Sequence, residues 1–225
     1  MDLQQIFDNT DFVHASGTKE ELQVAEYLKT QCENMGVASR IEGFRVAMGE
    51  IETAHLYADG EEVTCKAFTC CGSGVAEGEL YYMPGTDPVS IAGAKDKIVL
   101  MDTQGVGFFV YQDLMKAGAK AILFQYGNLH YPQQDIDQRD LREVVVGEER
   151  KVLCAMLHCS DAVKLVKNNV KKIRLEVEQR EYDGESHNVI AELPGKKEEW
   201  IVLTAHYDTT SLSHGAYDNM SGCAG

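Results

Sequence analysis

Three polar residues near the carboxyl end of the chain have the types and the spacing of a metal site: His206, Asp208 and Asp218. His206 and Asp208 follow the apolar run 200–205, and in an extended chain they point to the same side because side chains alternate. An imidazole is a good zinc ligand, and a carboxylate two residues away can orient the ring. The alternative is a polar pair at the exit of a strand, with no ligand role.

Asp218 lies in a second segment, the glycine-containing stretch 215–222. Glycine allows a loop to approach a ligand closely, and a carboxylate has two oxygens with which it can bridge two cations. The alternative is that Asp218 only caps a helix that begins near Asn219. Together, the two segments indicate a dinuclear metal site more strongly than either does alone.

The composition of the chain bounds its function class. It has 225 residues, 44% hydrophobic and 25% charged, which suits one large globular domain or two modest ones. The net charge of -15 repels phosphate backbones and anionic lipids, so neither nucleic acid nor a membrane is expected as a partner. The N-terminus lacks the basic and apolar regions of a signal peptide, and the seven cysteines form no framework. These features predict reduced thiols and a cytoplasmic protein.

The hydrophobic pattern predicts an α/β chain. Residues 19–35 read as an amphipathic helix, with Thr18 and Glu21 as a capping box. A hairpin turn is predicted at Asp59-Gly60. The other predicted elements are strands at 51–57, 63–68, 80–83, 97–101, 121–124, 144–146, 152–157, 173–177 and 188–193, a helix at 108–117 that ends at Gly118, and a helix capped by Ser160. The run 200–205 reads as a strand covered on both faces of a mainly parallel sheet.

Three segments, 188–191, 206–208 and 215–222, together resemble the M28 family of zinc metallopeptidases, the aminopeptidases with co-catalytic zinc. The helix after residues 16–18 also resembles the opening of that family. In the middle of the chain, 97–100, 118–124 and 155–162 resemble a protease-associated (PA) domain. The resemblance implies a truncated M28-like mixed-sheet peptidase core, formed by residues 1–45 and 179–225, with an inserted strand-rich PA-like domain at 46–178.

The resemblance also implies roles for the site residues. His206 would ligate one of two zinc ions, Asp218 would bridge both ions, and Asp208 would orient His206. Two zinc ions polarise the scissile carbonyl and activate a water in this family, a downstream glutamate acts as base, and the free N-terminus of the peptide substrate is held nearby. The Glu-Glu pair, the further Asp and the last His of the family pattern do not follow Asp218. We therefore expect weak or absent zinc binding and little activity from this chain alone.

Three functions remain open from the sequence. The first is the N-terminal part of a di-zinc aminopeptidase, and the second is a PA-type binding module without catalysis. The third is a peptidase completed by a separate chain that supplies the remaining ligands. If the run 200–205 is a strand with uncovered faces, a homo-oligomer or a disordered C-terminus is also expected.

Overall fold

The computed structural model of the chain describes residues 3–225. Its α-helices are α1 (Leu3–Asn9), α2 (Lys19–Asn34), α3 (Pro88–Ala92), α4 (Phe108–Ala117), α5 (Glu143–Val146), α6 (Cys159–Lys167) and α7 (Ser221–Ala224). A single π-helical turn, Ala216–Met220, precedes α7. Within the described part of the chain, no helix is long and apolar enough to cross a membrane.

The strands form one mixed sheet of eight members. They are β1 (Ala38–Ala58), β2 (Glu61–Val63), β3 (Cys65–Ala67), β4 (Gly74–Met83), β5 (Lys97–Met101), β6 (Ala121–Tyr126), β7 (Leu153–His158) and β8 (Lys172–Glu192). Their order is β2-β1-β8-β4-β5-β6-β7-β3. Strands β4 to β7 run parallel, whereas β8 pairs antiparallel with β4, β3 with β7 and β2 with β1. The predicted α/β class with a mixed sheet is confirmed.

The contacts divide the chain into two compact units. The smaller unit consists of the described residues up to Val46 together with Asp183–Gly225, and the larger unit is Ala47–Tyr182. The sequence predicts limits at 45/46 and 178/179. That residues 46–178 form a PA-like domain stays a prediction.

The core of the larger unit is built on the parallel strands. The apolar runs of β5, β6 and β7 are buried almost throughout, as expected for strands covered on both faces. Helix α4 adds Tyr111 and Leu114 to this core. Gly118, which ends α4, has φ 90, a left-handed conformation that favours glycine at a helix end.

Local signals in the sequence account for several element boundaries. The Thr18 hydroxyl accepts a hydrogen bond from the Glu21 amide at 3.2 Å, which caps α2 as predicted. Asp59 and Gly60 both have positive φ and connect β1 to β2, which confirms the predicted hairpin turn. The prediction that Ser160 caps a helix is wrong, because the cap of α6 is His158, whose Nδ1 accepts from the Ser160 amide at 3.2 Å. The predicted strand at 144–146 is also wrong, because this stretch forms the helix α5.

The predicted strand at 200–205 is absent. The segment is irregular, and the exposed fractions of Trp200, Ile201, Val202 and Leu203 are 71%, 90%, 77% and 91%. A strand requires a neighbour that pairs with its backbone, and this segment is not a member of the described sheet. Apolar composition alone therefore led to the wrong prediction here.

Candidate metal centre

The site lies in the smaller unit, where a small apolar cluster holds the segments that carry it. Tyr207 and Met220 are buried with Ile6 of α1 and with Val24 and Ala25 of α2. Tyr207 lies between His206 and Asp208, and Met220 follows Asp218 by two residues. The amino-terminal helices thus anchor both halves of the site through its buried neighbours.

The structure brings together all three residues that the sequence singles out. His206 Nε2 lies 3.0 Å from Asp218 Oδ1. On the other side of the ring, His206 Nδ1 lies 3.3 Å from Asp208 Oδ1. The side chains of His206, Asp208 and Asp218 are 54%, 44% and 78% exposed, so the site is open to solvent.

The two carboxylates set the charge state of the imidazole. Partial burial by itself lowers the pKa of His206, but the backbone and charge of Asp208 and then the carboxylate of Asp218 outweigh it. The net effect is a pKa raised above its ordinary value. His206 Nε2 and the Asp218 carboxylate are donors of types that bind metal ions, and a metal ion that bound Nε2 would have to displace any proton on it.

A tight turn holds Asp218 against the histidine. Gly215 has φ 74, and a Cβ at this position would lie 2.6 Å from Thr209 Cγ2. The Met220 amide donates to the Gly215 carbonyl at 2.8 Å and closes the π-helical turn around Asp218. The peptide bond between Asp218 and Asn219 is cis. Asp218 is not the cap of the following helix, because it lies within this turn and α7 begins at Ser221.

The buried side chain of Tyr207 is held by hydrogen bonds and does not project outward with the metal-site residues. Its hydroxyl donates to Glu21 Oε1 and lies 2.8 Å from the His187 carbonyl. Glu21 also accepts from the His187 amide at 3.2 Å and from His187 Nδ1 at 3.0 Å. Burial, and then the neighbouring Glu21, raises the pKa of Tyr207.

This buried network differs from what the local sequence pattern predicts. Glu21 is predicted to complete a capping box, but the Thr18 amide donates to the Ala15 carbonyl and the Glu21 side chain is buried. His14 and His187 give no signal in the sequence, because their partners lie 193 and 166 residues away along the chain. A buried acid on the apolar face of a helix gives no periodic signal.

The donor set fits part of a zinc site. Imidazole nitrogen and carboxylate oxygen are common zinc ligands, and catalytic sites use about three of them plus water. His206 and Asp218 supply two such donors. Among residues 3–225, no group of three or more His, Cys, Asp or Glu side chains is arranged to hold an ion.

Comparison with known sequences agrees with this geometry. The sequence model of peptidase family M28 matches residues 188–225, the stretch that contains His206, Asp208 and Asp218. This part of the chain is similar in sequence to peptidase family M28. The predicted M28 resemblance is confirmed, whereas the PA resemblance stays a prediction. No curated protein sequence matches the chain.

Solved structures of two aminopeptidases and of a peptidase M28 precursor share the fold of the chain. The aminopeptidase from Aneurinibacillus sp. strain AM-1 aligns with 99% of the chain at 20% identity and a TM-score of 0.67. BSAP, a zinc aminopeptidase from Bacillus subtilis, aligns with 99% at 19% identity and a TM-score of 0.69. A peptidase M28 precursor from Shewanella amazonensis SB2B aligns with 99% at 16% identity and a TM-score of 0.64. The chain spans 57%, 54% and 56% of these three proteins.

Proposed function

We propose that this chain provides part of the metal centre of a zinc aminopeptidase that removes N-terminal residues from peptides. The observation that carries the proposal is the 3.0 Å approach of His206 Nε2 to Asp218 Oδ1. Support also comes from the M28 match over residues 188–225 and from the fold shared with known aminopeptidases.

Each of the three residues has a distinct role in this proposal. His206 would offer Nε2 to zinc, and Asp208 would accept a hydrogen bond from the opposite ring nitrogen, which would fix the tautomer. Asp218 would hold the metal through its carboxylate, which has two oxygens available as ligands. Zinc, when bound, supplies Lewis acidity toward the scissile carbonyl and toward a water. The residues of this chain orient the ligands and leave the site open to the substrate.

We propose that the complete site needs further ligands and a general base in addition to His206, Asp208 and Asp218. Two donors fall short of the roughly three that hold catalytic zinc. The chain alone is therefore expected to bind zinc weakly and to show little or no peptidase activity. The further donors would come from a longer form of this chain or from a separate chain.

Zinc titration followed by calorimetry tests the proposal. His206→Ala and Asp218→Ala each remove one donor and should abolish the weak zinc binding of the full 225-residue chain. The matched control is His214→Ala, since His214 contacts Asp11 and not the proposed ligands. Zinc binding that survives both site substitutions would refute the assignment. Hydrolysis of aminoacyl nitroanilides by the chain at ordinary enzyme rates would refute the proposal that the site needs further ligands.

A second candidate function is a binding module, which the larger unit favours. A groove of about 410 Å³ opens on this unit, with a wall of apolar side chains and Asp102 and Gln125 also in its lining. The apolar wall consists of Tyr82, Leu100, Met101, Ala162, Val163 and Val166. Such a groove suits an apolar side chain of a peptide. Val163→Asp should abolish peptide binding here and leave zinc binding unchanged.

We also propose that the chain self-associates and acts in the cytoplasm. Self-association is supported by the exposed apolar side chains of Trp200 to Leu203. A cytoplasmic location is supported by seven cysteines that are all free thiols. Light scattering of the purified chain tests the first point, and fractionation of the source cells tests the second.

A further inference from the structure

We propose that Glu21 is a positioning residue for the metal site and that it acts through Tyr207. Glu21 lies on α2, 186 residues before Tyr207 in the sequence, and contacts none of the proposed ligands itself. The inference rests on the proposed function, because it concerns how His206 and Asp208 are held ready for zinc.

The first step is the alternation of side chains in the segment 206–208. Tyr207 is 8% exposed, whereas the side chains of His206 and Asp208 are 54% and 44% exposed. Tyr207 therefore points into the protein, while its two neighbours point outward. Whatever fixes the Tyr207 ring also fixes the direction in which His206 and Asp208 project.

Second, Glu21 fixes the position of the Tyr207 ring by accepting a hydrogen bond from its hydroxyl. Glu21 is 1% exposed and is surrounded by donors: the Tyr207 hydroxyl, the His187 amide and His187 Nδ1. A buried carboxylate is costly unless such donors satisfy it, and hydrogen bonds to a charged acceptor are strong. Glu21 also stands on a capped helix whose next turn is buried at Val24 and Ala25, so its own position is fixed.

The third step is a separate hold on the backbone of the same segment. His14 Nε2 lies 2.7 Å from the Tyr207 carbonyl, and the His14 amide donates to Thr209 Oγ1 at 2.9 Å. The Thr209 amide donates back to the His14 carbonyl at 3.2 Å. The main chain of the segment thus stays attached when the Tyr207 hydroxyl is removed. Loss of that hydroxyl is therefore expected to loosen the position of the ring within its apolar cluster without unfolding the segment.

The expected effect is a loss of zinc affinity with the ligands intact. Changes in the hydrogen-bonded partners behind metal ligands weaken metal binding by roughly 10–100-fold. Glu21 is one residue further from the metal than such partners, so a loss of about ten-fold is expected from Tyr207→Phe and from Glu21→Ala. Glu21→Gln keeps an oxygen acceptor for the tyrosine hydroxyl and should retain most of the affinity.

The experiment uses the full chain and zinc ions alone. Calorimetry gives the affinity, and the ring signals of ¹⁵N-labelled His206 report the ligand directly. The variants are Tyr207→Phe, Glu21→Ala, Glu21→Gln and the double variant Tyr207→Phe/Glu21→Ala. Thr18→Ala is the control, because it removes the cap of the same helix and leaves the Glu21 side chain in place.

The inference predicts that both single changes weaken zinc binding, that the double variant is no weaker than either, and that the glutamine restores it. A general loss of stability would instead affect Thr18→Ala equally. If Tyr207→Phe binds zinc as tightly as the unchanged chain, the inference is wrong. Tyr207→Phe also decides the matter if Glu21→Ala does not fold.

The failure of the proposed function would look different. If the unchanged chain shows no zinc binding, the metal assignment fails, and the metal-free His206 ring signals then test the positioning role. Tyr207→Phe should shift or broaden these signals, whereas Thr18→Ala should not. Unchanged His206 signals in Tyr207→Phe would overturn the positioning role whatever the result for zinc.

Discussion

His206 Nε2 and Asp218 Oδ1 approach to 3.0 Å although twelve residues separate them in the sequence. Two features produce this approach. Tyr207 is buried in an apolar cluster and anchors the segment that carries His206. The turn that follows Gly215 places Asp218 beside the His206 ring. The pair is therefore set by buried neighbours and by backbone conformation.

The first prediction concerns the charge of His206. Asp218→Asn removes one of the two carboxylates that raise the pKa of this histidine, so the pKa should fall. Titration of the His206 ring signals by NMR in metal-free protein measures the change. The matched control is Asp11→Asn, which removes a carboxylate beside His214 and should leave the titration of His206 unchanged.

The same pair has a defined effect on stability with pH. The folded-state pKa of His206 is raised above the ordinary value of 6.5. Its contribution to stability is therefore fully present below that value and is lost as the pH rises through the folded-state pKa. Because the ring is half exposed, the contribution is small. A stability difference between the unchanged chain and Asp218→Asn that grew with rising pH would contradict this sign.

The second prediction concerns the turn that carries Asp218. Gly215→Ala places a Cβ where φ is 74 and where Thr209 Cγ2 would lie 2.6 Å away, so the turn must shift. We expect a loss of about 1–2 kcal/mol from the left-handed conformation alone, and more from the contact. Urea unfolding measures the loss, and the His206 ring signals should move.

Gly118→Ala is the control for this change. Gly118 also has a positive φ, of 90, but its Cβ would meet only Lys95 Cγ at 3.9 Å. It should lose about 1–2 kcal/mol for the same conformational reason, without any effect on His206. Equal losses and unmoved His206 signals in both variants would mean that Gly215 does not position Asp218.

Local signals predicted much of the fold correctly. The cap at Thr18, the turn at Asp59-Gly60 and the stop at Gly118 each depend on the conformation of one or two residues, which the sequence specifies directly. The strand at 200–205 was wrong because pairing depends on a neighbour elsewhere in the chain. An apolar pattern shows that a segment could be buried in a sheet, but it does not show whether a partner strand is present.

The candidate site divides in the same way. His206, Asp208 and Asp218 were found because they are close in sequence and of metal-binding types. Glu21 and His187 were missed because long stretches of chain separate them from Tyr207, and only the fold brings them together. Residues that hold a site from distant parts of the chain leave no local pattern in the sequence.

The third prediction concerns the exposed apolar segment. The double variant Ile201→Glu/Leu203→Glu should reduce self-association of the chain, because the two side chains are 90% and 91% exposed. Stability toward urea should change little, since neither side chain is buried. Light scattering over a range of concentrations measures the association.

Lys196→Glu is the control for the added charge. It makes the net charge more negative by two, as the double variant does, but lies in a polar turn close to the same segment. If Lys196→Glu reduces association as much as the double variant does, net charge and not the apolar segment governs association. Persistent association of the double variant alone would contradict the prediction outright.

The last prediction concerns the thiols. Burial, and then the nearby Glu62, raises the pKa of Cys65 to about 11, and burial also raises the pKa of Cys71 and of Cys154. The thiolate is the reactive form, so these three should resist iodoacetamide in the folded protein near pH 8. Modification of Cys65 should accelerate as the pH rises toward about 11. Mass spectrometry gives the order of modification, and unfolding in urea should expose all seven cysteines. Rapid labelling of Cys154 in the folded chain at neutral pH would show that the parallel strands around it are not packed as described.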